Sequence, residues 1–117
     1  MTPARWTAAA ELAIMRCRKV VAGLSSPVHR RALRSGVAPS VEHHRLLRRV
    51  QPDAVVDVGA NRGQFALAVH EIVPSCPVIS FEPLPAAAAD YRRLLAGCAW
   101  AELRVAAVGS ERGTATM

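Results

Sequence analysis

The sequence is poor in aromatic residues and in cysteine. Only five of its 117 residues are Phe, Trp or Tyr, so a core has to be built largely from Ala, Val and Leu. Its three cysteines form no Cys-x-x-Cys pair, which argues against a disulfide scaffold and against a zinc module. We therefore expect one small domain without a bound metal, in a reducing compartment such as the cytoplasm.

Long apolar runs and evenly spread charge are also lacking. No stretch reaches about 18 uncharged apolar residues, which excludes a membrane-spanning helix. Residues 1–50 hold ten basic side chains against two acidic ones, whereas residues 51–117 hold five against seven. The net charge of +6 is thus a property of the first half, which suits solvated surface helices or peripheral contact with an anionic membrane. Basic and aromatic residues are not interleaved in the sequence, so the pattern does not indicate nucleic-acid binding.

Residues 1–50 have the pattern of a basic helical extension. The composition of Ala8–Ala22 predicts a first helix, and residues 25–27 have the Ser and Pro content of a chain break. A second helix is predicted over Val41–Val50, with Ser40 as its N-cap. The apolar stripe expected on this second helix consists of Leu46, Leu47 and Val50.

Residues 51–117 alternate between strand-like and helix-like segments. Short runs rich in β-branched residues predict strands, and longer amphipathic runs predict the helices between them. The expected strands are 54–58, 78–81 and 103–108, the expected helices are 64–73 and 85–96, and a further strand begins at 114. Apolar residues at consecutive strand positions predict a doubly wound α/β sheet of parallel strands, buried on both faces.

Two glycines four residues apart stand where the first strand passes into the following helix. Gly59 allows a tight turn at the carboxyl end of the strand, and Gly63 lets the helix start close to the sheet and to a ligand. The N-terminus of that helix offers unpaired N–H groups. Glu82 ends the next strand, and its carboxylate can accept hydrogen bonds from both hydroxyls of a ribose. The spacing predicts a nucleoside-cofactor pocket at the carboxyl edge of the sheet.

The chemistry of the loop indicates which cofactor it takes. The loop Gly59-Ala-Asn-Arg-Gly63 is not the Gly-x-Gly-x-x-Gly fingerprint of dinucleotide sites. Asp57 precedes the first glycine by two residues, where a carboxylate would repel a phosphate but attract the cationic amino-acid end of S-adenosylmethionine. We favour S-adenosylmethionine and keep the NAD(P)-binding domain of an oxidoreductase as an alternative.

Several segments resemble FkbM-family methyltransferases. They are Val56-Asp-Val-Gly-Ala-Asn-Arg-Gly-Gln-Phe65, Ser80-Phe-Glu-Pro-Leu-Pro85, Val105-Ala-Ala-Val-Gly109 and the lead-in Val41-Glu-His-His44. The resemblance covers about residues 41–117. It implies a Rossmann-like class I methyltransferase fold and S-adenosylmethionine as cofactor. It also implies methyl transfer to a hydroxyl of a small molecule, a glycan or a lipid.

The resemblance also assigns a cofactor site residue by residue. The binding residues that it implies are Asp57, Gly59, Ala60, Asn61, Gly63, Glu82 and Pro83. Glu82 becomes the ribose ligand, and Pro83 lies beside the adenosine. No catalytic residue and no metal ligand are assigned, because the residues that orient the acceptor belong to a later part of the family's domain.

Relative to that family the sequence is short. The family's domain continues past the equivalent of Met117, so the resemblance implies a domain at 51–117 truncated after three to four strands, behind the extension at 1–50. We expect such a chain to be inactive or weakly active alone, or to be completed by a partner chain or an oligomer. A further alternative is a non-enzymatic interaction protein that acts through its basic helices.

Overall fold

A computed structural model describes residues 7–24 and 26–116. Residues 1–6, Ser25 and Met117 lie outside the described residues, and with them the start of the predicted extension and the end of the last predicted strand. The elements in chain order are α1 (Ala8–Gly23), α2 (Pro27–Arg34), a 3-10 turn (Val41–His43), α3 (His44–Val50), β1 (Val55–Val58), α4 (Gln64–Ile72), β2 (Val78–Phe81), α5 (Pro85–Leu94) and β3 (Ala101–Arg104).

The three strands pair in parallel in the order β1-β2-β3. Val55 lies opposite Val78, which in turn lies opposite Ala101. Parallel neighbours need a crossover connection, and α4 and α5 supply the two crossovers. The predicted α/β class and parallel sheet are therefore confirmed, and the architecture is compatible with a Rossmann-like fold.

Helices pack against one face of this sheet. Strand side chains alternate between the faces, and Val55, Val78 and Leu103 join the apolar core with α4 and α5. On the opposite face Val56 and Val58 are 64% and 60% exposed. The prediction of burial on both faces is therefore wrong for the described residues. Each crossover moves the chain one strand in the same direction, so connections of the same hand place both helices on one side.

The third strand lies earlier than predicted. β3 spans Ala101–Arg104 instead of 103–108, and residues 105–116 form no strand, so the strand expected from 114 is wrong over its described part. The register gives the reason, because Arg104 already pairs with Phe81 at the end of β2. Beyond that point the segment that follows β2 contains Pro83, which has no N–H to donate to a strand ladder.

The N-terminal half contains one helix more than the sequence predicted. α1 begins where expected, but α2 begins in the segment interpreted as a break. Pro27 occupies the first turn of α2, where a missing N–H costs nothing. The Ser26 hydroxyl accepts a hydrogen bond from the N–H of His29 and so caps the helix.

The second predicted helix buries a different face from the one expected. Residues 41–43 form a 3-10 turn and α3 begins at His44, with no capping bond from the Ser40 side chain. Of the expected stripe only Leu47 is buried, and Leu46 and Val50 are exposed. His44 is buried instead, and its Nε2 lies 3.6 Å from Oε2 of Glu71 on α4.

The buried His29 joins the helical segment to the α/β part. The Nε2 of His29 lies 2.8 Å from the carbonyl oxygen of Leu67, so it carries the proton, and Nδ1 then accepts from Ser26. His70 stacks on Trp100 with 4.2 Å between ring centroids. Burial lowers the pKa of both His29 and His70. Residues of both segments share one core, while the domain division at residue 50 stays a prediction.

We expect the free energy of unfolding to fall between about pH 7.5 and about pH 5.5. A histidine whose pKa is lowered by burial binds its proton near the ordinary value of 6.5 in the unfolded chain, but only at lower pH in the folded one. Stability is thus fully present above that ordinary value and is lost as the pH falls toward the folded-state pKa. Urea titrations followed by circular dichroism measure the change.

The same titrations on the Asp57→Asn variant provide the control. Burial raises the pKa of Asp57, so this carboxyl contributes with the opposite sign, and the variant removes that contribution. An unfolding midpoint that is unchanged or higher at the lower pH in both proteins would contradict the role given to the histidines.

Candidate functional site

The β1–α4 loop is held in place by its own backbone donors. The N–H groups of Gly59 and Ala60 both donate to the carbonyl oxygen of Phe81, at 2.9 and 3.0 Å. Gly59, Asn61 and Gly63 have positive φ angles of 79°, 51° and 98°. A Cβ added at Gly59 would meet nothing within 4 Å, so the turn borders open space at the carboxyl end of β1.

The carboxylate of Glu82 connects this loop to the end of β2. One oxygen accepts from the N–H of Asn61 at 2.7 Å, and the other accepts from the N–H of Leu84 at 2.8 Å. Glu82 is 5% exposed. The sequence placed Glu82 beside the loop, which the structure confirms. A carboxylate has about four acceptor positions, so the two backbone bonds leave two of them for a ligand.

Asp57 is a buried carboxylate without a complete set of partners. It is 9% exposed, and its Oδ2 has no hydrogen-bond partner among the described residues. Burial raises the pKa of Asp57, Glu82 raises it further, and nearby His43 acts in the opposite direction. A buried charge without a partner is unfavourable, and a cation or a strong donor at Oδ2 would relieve it.

A polar cavity of about 320 Å³ opens beside Asp57 and the glycine turn, and Glu82 is not part of its lining. Its lining consists of Lys19, Ser40, Glu42, Asp57, Gly59, Ala60, Asn61, Gln64 and Phe65. Four of the seven predicted site residues line it, and the volume lies at the small end of the range for ligand sites. Sequence reasoning gave no site role to Lys19, Ser40 or Glu42. Glu42 lies in the lead-in segment that resembles the family, but all three precede the glycine loop by 15 or more residues.

The other predicted site residues lie elsewhere. A Cβ on Gly63 would lie 3.2 Å from the Tyr91 ring and 3.3 Å from Leu95, so the missing side chain makes room for α5. Pro83 lines a second cavity of about 740 Å³, together with Leu84 and Val105, between the ends of β2 and β3. The assignment of Gly63 and Pro83 to cofactor binding stays a prediction.

Other observations add no further site. Among residues 7–24 and 26–116, no group of three His, Cys, Asp or Glu side chains is placed to hold a metal ion. Over the same residues, no helix is both long enough and apolar enough to cross a membrane. No protein-family model matches the chain, and no curated protein matches it. A functional conclusion therefore depends on the geometry of the cavity and on the motif resemblance.

The packing role of Gly63 predicts a specific loss of stability. Gly63→Ala should lower the free energy of unfolding by about 2–3 kcal/mol, because left-handed strain adds to a contact with the Tyr91 ring. Gly36→Ala is the matched control, since Gly36 also has a positive φ but open space around it, and should lose only about 1 kcal/mol. Urea unfolding measures both, and equal losses would contradict the packing argument.

The two carboxylates at the site should respond oppositely to neutralisation. Glu82→Gln places an amide NH₂ against a backbone N–H and should lower the free energy of unfolding by about 2 kcal/mol. Asp57→Asn removes a desolvated charge beside Glu82 and should raise the free energy of unfolding at neutral pH. Chemical denaturation of the two variants tests the pair, and a destabilised Asp57→Asn would show that Asp57 is already satisfied.

Proposed function

We propose that the cavity at the end of β1 binds S-adenosylmethionine and that the protein is a methyltransferase of the FkbM type. The observation that carries the proposal is the Oδ2 of Asp57, which has no hydrogen-bond partner within residues 7–24 and 26–116 and is buried beside a left-handed glycine turn and a polar cavity. A cationic group bound there would replace the missing partner of Asp57. The ammonium group of S-adenosylmethionine supplies such a cation.

Two further features support a nucleoside with an amino-acid end. Glu82 has acceptor positions beyond its two backbone bonds, and these suit the paired hydroxyls of a ribose. Pro83 and the larger cavity between the ends of β2 and β3 provide an apolar wall beside which the adenosine would lie. The likeness of residues 56–65 and 80–85 to the family motifs points to the same ligand.

The cavity disfavours the dinucleotide alternative. Two carboxylates, Asp57 and Glu42, line it, and both would repel a diphosphate. The N–H groups of Gly59, Ala60 and Asn61 donate within the protein, so they do not form the free backbone cradle that a phosphate needs. The carboxylates of Asp57 and Glu42 instead suit a ligand that presents positive charge.

The proposed reaction is methyl transfer to a hydroxyl of a small molecule, a glycan or a lipid. Bound S-adenosylmethionine supplies a methyl group activated by a sulfonium leaving group. The contribution of this chain is to hold that cofactor in one orientation, since alignment of the reacting atoms accounts for much of the acceleration in such a displacement. The hydroxyl proton needs an acceptor, and no described residue is assigned that role.

We expect S-adenosylhomocysteine to raise the thermal unfolding midpoint of the full chain, whereas NAD should not. Binding to the folded state alone stabilises it, by about 2.7 kcal/mol when the free ligand is at one hundred times its dissociation constant. Asp57→Asn should lose most of this ligand-induced shift, because it removes the partner of the ammonium group.

Glu102→Gln is the matched control, because it neutralises an exposed carboxylate outside the cavity. It should keep the full shift. Stabilisation of the wild-type chain by NAD but not by S-adenosylhomocysteine would refute the proposed function. So would a full shift in Asp57→Asn, since the Asp57 carboxylate carries the proposal.

A further inference from the structure

Helix α1 reaches the cavity through one side chain. Lys19 is the single lysine of the chain, and it lines the cavity together with Asp57 and the glycine turn. Its Nζ lies 3.9 Å from Oε2 of Glu42, and its side chain is 34% exposed. The basic helical segment and the glycine loop therefore meet at this cavity.

The Lys19–Glu42 ion pair is weak enough to be exchanged. Its separation is at the upper limit for an ion pair, and both side chains are partly exposed to water. Ion pairs of this kind contribute about 0–1 kcal/mol to stability. The ammonium group of Lys19 can therefore leave Glu42 for another carboxylate with little loss of stability.

The loop itself has no free N–H group for a carboxylate. Gly59 and Ala60 donate to Phe81, and Asn61 donates to Glu82. The next two N–H groups of the loop are also used, since residue 62 donates to the Gln64 side chain and residue 63 donates to the carbonyl of residue 60. Lys19 is the one cationic side chain among the described residues that line the cavity, so it is the charged partner that they offer to a ligand anion.

We propose that Lys19 binds the carboxylate of the cofactor's amino-acid end, while Asp57 binds its ammonium group, so that α1 forms part of the cofactor site. This inference rests on the proposed function. It follows from the charges that line the cavity, since an amino-acid zwitterion needs one partner of each sign. Among the described residues, the lining holds one buried acidic oxygen without a hydrogen-bond partner and one exchangeable cation.

Two nucleosides that differ only at the amino-acid end test the inference. S-adenosylhomocysteine carries the carboxylate and the ammonium group, whereas 5′-methylthioadenosine lacks both. Isothermal titration calorimetry should show that Lys19→Gln weakens binding of S-adenosylhomocysteine roughly fivefold to tenfold and leaves that of 5′-methylthioadenosine unchanged. Lys19→Arg should restore most of the affinity, and Arg16→Gln, an exposed change on the same helix outside the cavity lining, should have no effect.

The single lysine also permits a direct footprint. Acetylation of Lys19 by an N-hydroxysuccinimide ester, followed by mass spectrometry, should slow severalfold in the presence of S-adenosylhomocysteine but not of 5′-methylthioadenosine. Equal losses for the two nucleosides in Lys19→Gln, or no loss for S-adenosylhomocysteine, would overturn this inference and leave the proposed function standing. Failure of both nucleosides to bind the wild-type chain would overturn the proposed function, and this inference with it.

Discussion

The carboxylate of Glu82 is the contact on which the candidate site depends. It accepts from Asn61 on one side and from Leu84 on the other, so it ties the β1–α4 loop to the end of β2. Asn61 is held in this way, whereas the N–H of Gly59 donates to the carbonyl oxygen of Phe81, and both residues line the cavity. Burial raises the pKa of Asp57, and the negative charge of Glu82 raises it further.

The cavity is assembled from parts of the chain that differ in character. The acidic α/β half supplies Asp57 and the glycine turn, whereas the basic helical half supplies Lys19 and Glu42. Residues of both halves share one apolar core, and α2 adds polar contacts with α4 and α5. His29 donates to the carbonyl of Leu67, and Arg31 donates to that of Leu94. A histidine and an arginine of α2 thus help to fix the position of this helix on the α/β part.

Much of the fold could be predicted because its signals are local. Helices α1, α4 and α5 and strands β1 and β2 follow from residue composition, capping and periodicity within a few neighbours. The errors arose where a distant partner decides the outcome. β3 ends at Arg104, which pairs with the last residue of β2, and the buried His44 lies beside Glu71 of α4. Phe81, the partner of Arg104, and Glu71, which lies beside His44, are both more than 20 residues away along the chain.

The sequence by itself determined the α/β class, the parallel sheet and the glycine turn with Glu82 beside it, because strand length, backbone freedom and chain order are properties of adjacent residues. Only the tertiary structure decided that Gly63 serves the packing of α5, that one sheet face carries exposed valines, and that Lys19 reaches the cavity. Those outcomes depend on which helix and sheet surfaces come into contact once the crossover helices α4 and α5 have packed on the sheet. No motif records that arrangement, since the groups involved are far apart along the chain.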